Sequence, residues 1–158
     1  MGATRRHEYR VLNRWSGNLG TGTSSYAAYS RNHELSGDAK KSAIPGSADP
    51  LFRGDRERYN PEELLVSAVS ACHMLWVLHR CADAGIVVTE YTDEATGEMQ
   101  ERADGSGEFT RVVLRPHMKI TDTSRADEVI AIHAKVHEVC AIARSVNFPV
   151  EHEPKVSG

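Results

Sequence analysis

The stretch NPEELLVSAVSACHMLWVLHRC, residues 60–81, limits the fold more than any other part of the chain. Asn60 is a good helix N-cap, Pro61 suits the first helical position, and Glu63 stands where a capping box places its acid. A helix is therefore predicted to start at Pro61. Its apolar positions, among them Leu64, Leu65, Val69, Leu75 and Leu78, run nearly all round and leave almost no solvent face. Such a helix needs covering by a sheet on one side and another surface elsewhere. Ser67, Ser70 and His73 interrupt its most apolar run, Leu64 to Leu78, which falls short of the ~20 residues of a membrane span. The helix is expected in a protein core, with no membrane as partner.

Composition narrows the class. A chain of 158 residues fits one domain, 1–158, large enough to bury a core without disulfide staples. A net charge of -3 gives no electrostatic reason to expect nucleic acid. Three cysteines form an odd, sparse set that fits a reducing compartment. The start, MGATRRHEYRVLNRW, has no apolar h-region, so no signal peptide is expected and the location is read as cytoplasmic.

Around the helix the pattern is strands, helix, strands, helix. HEYRVLNRW puts Tyr9, Val11 and Trp15 on one face at period two and is expected to pair through a turn with SSYAAYS as a hairpin. Residues 31–59 carry Gly, Pro, Asp and Ser without a period and read as a long surface loop. IVVTEYT and FTRVVLRPHMKI are predicted strands, the latter with Val112, Leu114, Met118 and Ile120 on one face, and ADGSG between them as a turn. A second helix is predicted from TSRADE, with Ser124 and Asp127 as a capping pair, to about Ser145. Val129, Ile132, His133, Val136, Val139 and Cys140 follow its buried stripe.

The cysteines can be sorted geometrically. Cys72 and Cys81 are nine residues apart on one helix, about 180° and roughly 13 Å, too far for a disulfide. Any redox pair must include Cys140. Cys72 with Cys140 is the favoured pair because both lie on core-facing helices, against the plain alternative that all three are small packing residues. For Cys72 to attack as a thiolate, a cation must be delivered to it, since it lies too deep in the helix for the N-terminal dipole to help much. Arg53, Arg56 and Arg58 precede the helix, and Glu62 or Glu63 could orient one of them. His133 and His137, one helical turn apart with Cys140 beyond, raise zinc as a rival. The glutamate of a His-Glu-x-x-His protease is missing, however, with Ala134 in its place.

NPEELLVSAVSACHMLWVLHRCADAGIVVTEYTDEATGEM, followed some 40 residues on by VHEVCAIARSVNFPV, resembles the OsmC/Ohr family over almost the whole chain. The resemblance implies an α+β fold, antiparallel sheets wrapped around two central helices, in an intertwined homodimer with active sites at the subunit interface. It implies a thiol-dependent peroxidase that reduces organic hydroperoxides with a dithiol, of lipoyl type, as reductant and with no cofactor or metal. Position by position, Cys72 matches the peroxidatic cysteine, Cys140 the resolving cysteine, and Glu62 the glutamate that holds the catalytic arginine. Arg53 in LFRGD is the first choice for that arginine, with Arg56 and Arg58 behind it. Where the family often has Pro and then Ser after the resolving cysteine, this chain has Ala141, Ile142 and Ala143, and with its long loop it looks like an OsmC-like branch. The alternative to an enzyme is a dimeric module that binds a hydrophobic ligand at the interface.

Overall fold

The structure, a computed structural model, describes residues 4–158. It is α+β, as expected. Among the described residues, two α-helices, α1 (Pro61–Asp83) and α2 (Ala126–Val136), stand with nine strands arranged as three three-stranded sheets. The chain divides into two compact units, Met1–Glu62 and Glu63–Gly158.

The first unit holds β1 (Leu12–Trp15), β2 (His33–Ser36) and β3 (Ile44–Gly46), paired antiparallel in that order with Trp15 opposite His33. Two expectations change here. SSYAAYS is a run of turns and bends, and β1 takes β2 as its partner instead. Residues 31–59 are not a loop, because they contain β2, β3 and a short 3-10 turn at Pro50–Phe52. Ser47 ties that region together: its buried hydroxyl donates to Asn32 Oδ1 at 2.9 Å and accepts from the Asp55 N–H at 3.0 Å. These strands are three or four residues long with one or two apolar side chains each, too short for a period to show.

The second unit contains β4 (Val88–Asp93), β5 (Thr96–Glu101), β6 (Gly107–Leu114), β7 (Pro116–Ile120), β8 (Val150–His152) and β9 (Lys155–Ser157). The segment FTRVVLRPHMKI breaks at Arg115, where the chain leaves the sheet β5–β6–β8 and enters β4–β7–β9. Pro116 begins the new strand, the position in which a missing N–H costs least. Val112, Leu114, Met118 and Ile120 are all buried, so the predicted face exists, but it serves two clusters. Val112 and Leu114 join Val69, whereas Met118 and Ile120 join Val77, Cys81, Val129, Val136 and Cys140. The last two strands add in parallel, β8 on β6 and β9 on β7, and the other strand pairs are antiparallel.

Helix α1 begins at Pro61, as its capping sequence dictates. At 23 residues it is longer than its most apolar run, and length and composition alone would let it cross a membrane. Its buried residues are Val69, His73, Val77 and Cys81, one stripe at a spacing of four. Its other large apolar side chains are half-buried, among them Leu64, Leu65 and Leu78, except Leu75, which is 62% exposed. Helix α2 is shorter than predicted. Asp122, not Ser124, caps the 3-10 turn that leads into it, accepting from the Ser124 N–H at 3.1 Å. At its other end the N–H groups of Glu138 and Val139 bond to carbonyls three residues back, so the helix tightens into turns after Val136. Cys140 therefore sits past the helix end, not on its last turns.

Candidate active site

Within the second unit, Cys72 comes from the middle of α1 and Cys140 from the turn after α2. All three cysteines are free, and Cys72 packs against the core cluster that holds Cys140. Cys140 is fully buried, and Cys72 is half-buried against the same cluster. Burial pushes the Cys140 thiol up to about 11, the neighbouring Cys72 adds to the rise, and the Ala143 and Ile142 N–H groups oppose it. The Ala143 N–H lies 3.5 Å from Cys140 Sγ. Cys140 is thus a protonated thiol at neutral pH. Burial also raises Cys81, with the Glu128 carboxylate contributing.

Glu62 and the arginines belong to the first unit. Glu62 lines a cleft of about 420 Å³ together with Trp15, Tyr29, Arg31, Phe52 and Pro61. One of its carboxylate oxygens, Oε2, is buried without a hydrogen-bond partner. Arg53 is not among the cleft's lining residues. It is exposed, with φ 63°, at the end of the Pro50–Phe52 turn, where its N–H bonds to the Pro50 carbonyl. Arg56 is exposed as well, and Arg58 is taken up by Glu34 at 2.9 Å and by Asp55 at 3.8 Å.

Arg31 is the arginine that shares the cleft with Glu62, and the sequence reading did not single it out. Its guanidinium carbon lies 4.2 Å from the Tyr26 ring centroid and 4.1 Å from that of Tyr29. The same group donates to the Tyr29 carbonyl at 2.6 Å and to the Tyr26 carbonyl at 2.7 Å. Two aromatic faces and two carbonyls hold the cation without neutralising it. The usable signal was the pair of tyrosines in SSYAAYSR, five and two residues before Arg31.

The rival zinc arrangement finds no geometry. His137 is exposed and bonds to the Ala134 carbonyl, whereas His133 is buried and bonds to His73. Among the described residues no group of three or more His, Cys, Asp or Glu is placed to hold a metal ion.

Two free cysteines of an α+β chain thus share one core cluster, Cys140 within it and Cys72 packed against it. The model of the family described as "OsmC-like protein" matches residues 54–155, and the chain belongs to that family. Among solved structures, an OsmC-like protein of unknown function from Vibrio cholerae O1 biovar eltor is 32% identical. The match covers 94% of this chain and 99% of that one, with a TM-score of 0.83. An organic hydroperoxide resistance protein from Elizabethkingia anophelis shares the fold at 19% identity and TM-score 0.65, covering 98% of this chain and 99% of that one. One from Legionella pneumophila does so at 18% and 0.63, covering 97% and 100%. No curated protein matches the sequence.

Proposed function

We propose that the protein is a cysteine-based peroxidase that reduces organic hydroperoxides to alcohols, working as a homodimer in the cytoplasm with a dithiol of lipoyl type as reductant. The observation that carries this reading is the meeting of Cys72 and Cys140, two free cysteines 68 positions apart in the sequence, at one core cluster. Membership of the OsmC-like family, some of whose structural neighbours are described as organic hydroperoxide resistance proteins, points the same way.

The chemistry follows from the two sulfurs. The Cys72 thiolate attacks one peroxide oxygen, the O–O bond breaks, and the alkoxide leaves and is protonated to an alcohol. Cys72 is now a sulfenic acid. The Cys140 thiol then attacks that sulfur; an S–S bond forms, the S–OH bond breaks, and water departs with the Cys140 proton. An external dithiol reduces the disulfide by exchange and is itself oxidised.

Arg31, in place of Arg53, is the arginine we assign to favour the Cys72 thiolate, with Glu62 as its partner. Glu62 and Cys72 lie ten residues apart on α1, about 15 Å of helical rise. A guanidinium paired with Glu62 therefore cannot also touch the sulfur of its own helix. In this reading the Arg31 and Glu62 of one copy serve the Cys72 of another, and the second copy covers the apolar face of α1 around Leu75.

The test is steady-state reduction of cumene hydroperoxide, tert-butyl hydroperoxide and hydrogen peroxide with dihydrolipoamide, in wild type, Cys72→Ser and Cys140→Ser. Turnover of the organic peroxides that disappears in Cys72→Ser supports the proposal. Wild type no faster than Cys72→Ser on every substrate removes it and favours a module that binds a hydrophobic ligand.

A further inference from the structure

Three histidines that the dithiol chemistry does not use meet inside the second unit. His73 comes from α1, His133 from α2 and His152 from β8. His73 and His133 are buried, with stacked rings 5.1 Å apart and His73 Nε2 2.8 Å from His133 Nδ1. His152 lies over both, its ring centroid 5.7 Å from that of His73 and 6.4 Å from that of His133. The far nitrogen of His133, Nε2, faces the Met118 sulfur at 3.0 Å. A thioether only accepts, so His133 carries its proton on Nε2 and receives the His73 Nε2–H on Nδ1. The His73–His133 contact needs one nitrogen free to accept, so it is lost when both rings are charged and two N–H donors face each other.

The surroundings offer little to a charged imidazolium. From β4, the Tyr91 ring lies 6.4 Å from that of His133, and its hydroxyl is buried without a partner. Asp93, on the same strand, is the one carboxylate that favours a charged His73, and it already accepts from the Ser70 hydroxyl at 2.5 Å and the Arg115 N–H at 2.6 Å. From β7 comes only the uncharged Met118, and from β8 a third imidazole whose Nδ1 is buried and unpaired. Burial and the neighbouring imidazoles push His73 down to about 4 and His133 to about 3.

We infer that the His73–His133–His152 stack is an acid-sensitive latch, which joins α1 to α2 when neutral and releases the turn bearing Cys140 from Cys72 when protonated. The placement of the thiols makes the latch consequential. His73 is the residue after Cys72, and His133 lies seven residues before Cys140 on the element that delivers it. The sign is fixed: folded-state values lie below the ordinary 6.5, so the closed state is favoured above that value and loses its advantage as pH falls from 6.5 toward 4. Each ring that charges only on opening shifts the balance about tenfold per pH unit in that window.

The experiment reads thiol exposure in the reduced protein without peroxide, so it stands apart from the peroxidase proposal. Labelling of Cys140 by 4,4'-dithiodipyridine, which reacts in acid, is followed by mass spectrometry from pH 7.5 to 5. Each rate is divided by that of the urea-unfolded protein at the same pH. In wild type, the protection of Cys140 should fall at least tenfold between pH 6 and 5. His133→Leu, which leaves only His73 to charge on opening among the two bonded rings, should make that fall clearly shallower than in wild type. Should that variant fail to fold, His152→Gln serves, because removing the imidazole that opposes charging of the other two should move the loss of protection to lower pH. Protection equal at pH 7.5 and 5 in wild type, or unchanged pH dependence in the foldable variant, overturns the inference.

Discussion

At the scale of single residues, the proposed chemistry divides labour between two sulfurs and one guanidinium. In it Cys140, held protonated by burial, waits for an oxidised partner and does not attack first. Cys140→Ser should therefore leave the first oxidation intact and strand Cys72 as sulfenic acid. Repeated peroxide then drives it to the sulfinic state, a gain of two oxygens over the thiol that intact-mass spectrometry detects. Arg31 separates itself from its competitors by its setting. Removing a preorganised electrostatic group costs about 10²–10³ in rate, so Arg31→Ala should lose that much in kcat/KM whereas Arg53→Ala changes it less than about twofold. Arg31→Lys should recover little, since a compact ammonium does not match a slot between two rings and two carbonyls.

At the scale of elements, what could be read from the sequence followed from how long and how periodic each segment is. The start of α1 was legible because Asn60 and Pro61 carry chemistry that fits only a helix entrance. The buried face of Val112, Leu114, Met118 and Ile120 was legible from its period, although the switch of sheets at Arg115 was not. β5 could not be seen, since TGEMQE is exposed throughout and exists by pairing with β6. β8 and β9, three residues each, exist by parallel addition to β6 and β7. The end of α2 was misread because the turns after Val136 keep a spacing of three that continues the helical pattern. Packing between elements gives a direct stability test at β5. A Cβ on Gly97 would lie 2.6 Å from Phe109 Cε1 and 2.7 Å from Val66 Cγ2, so Gly97→Val should cost about 1–3 kcal/mol in urea unfolding.

For the whole molecule, the half-buried and exposed apolar side chains of α1, Leu75 above all, are the main physical demand. A single chain buries one stripe of that helix and leaves Leu75 in water, although the sequence carries apolar residues nearly all round. The proposed homodimer answers that demand and brings Arg31 and Glu62 of one copy to the Cys72 of another. Size-exclusion chromatography with light scattering should give twice the 17.4 kDa chain mass, and Leu75→Glu should shift it toward monomer and reduce peroxidase activity in parallel. A monomer with full activity would defeat the shared site.

The most direct test of the central claim is the disulfide itself. Reduced protein given one equivalent of cumene hydroperoxide, alkylated and digested without reductant, should yield the peptide of Cys72 linked to that of Cys140, with Cys81 alkylated. Recovery of both cysteines as free thiols after the peroxide pulse, or oxidation spread evenly over all three, would contradict it.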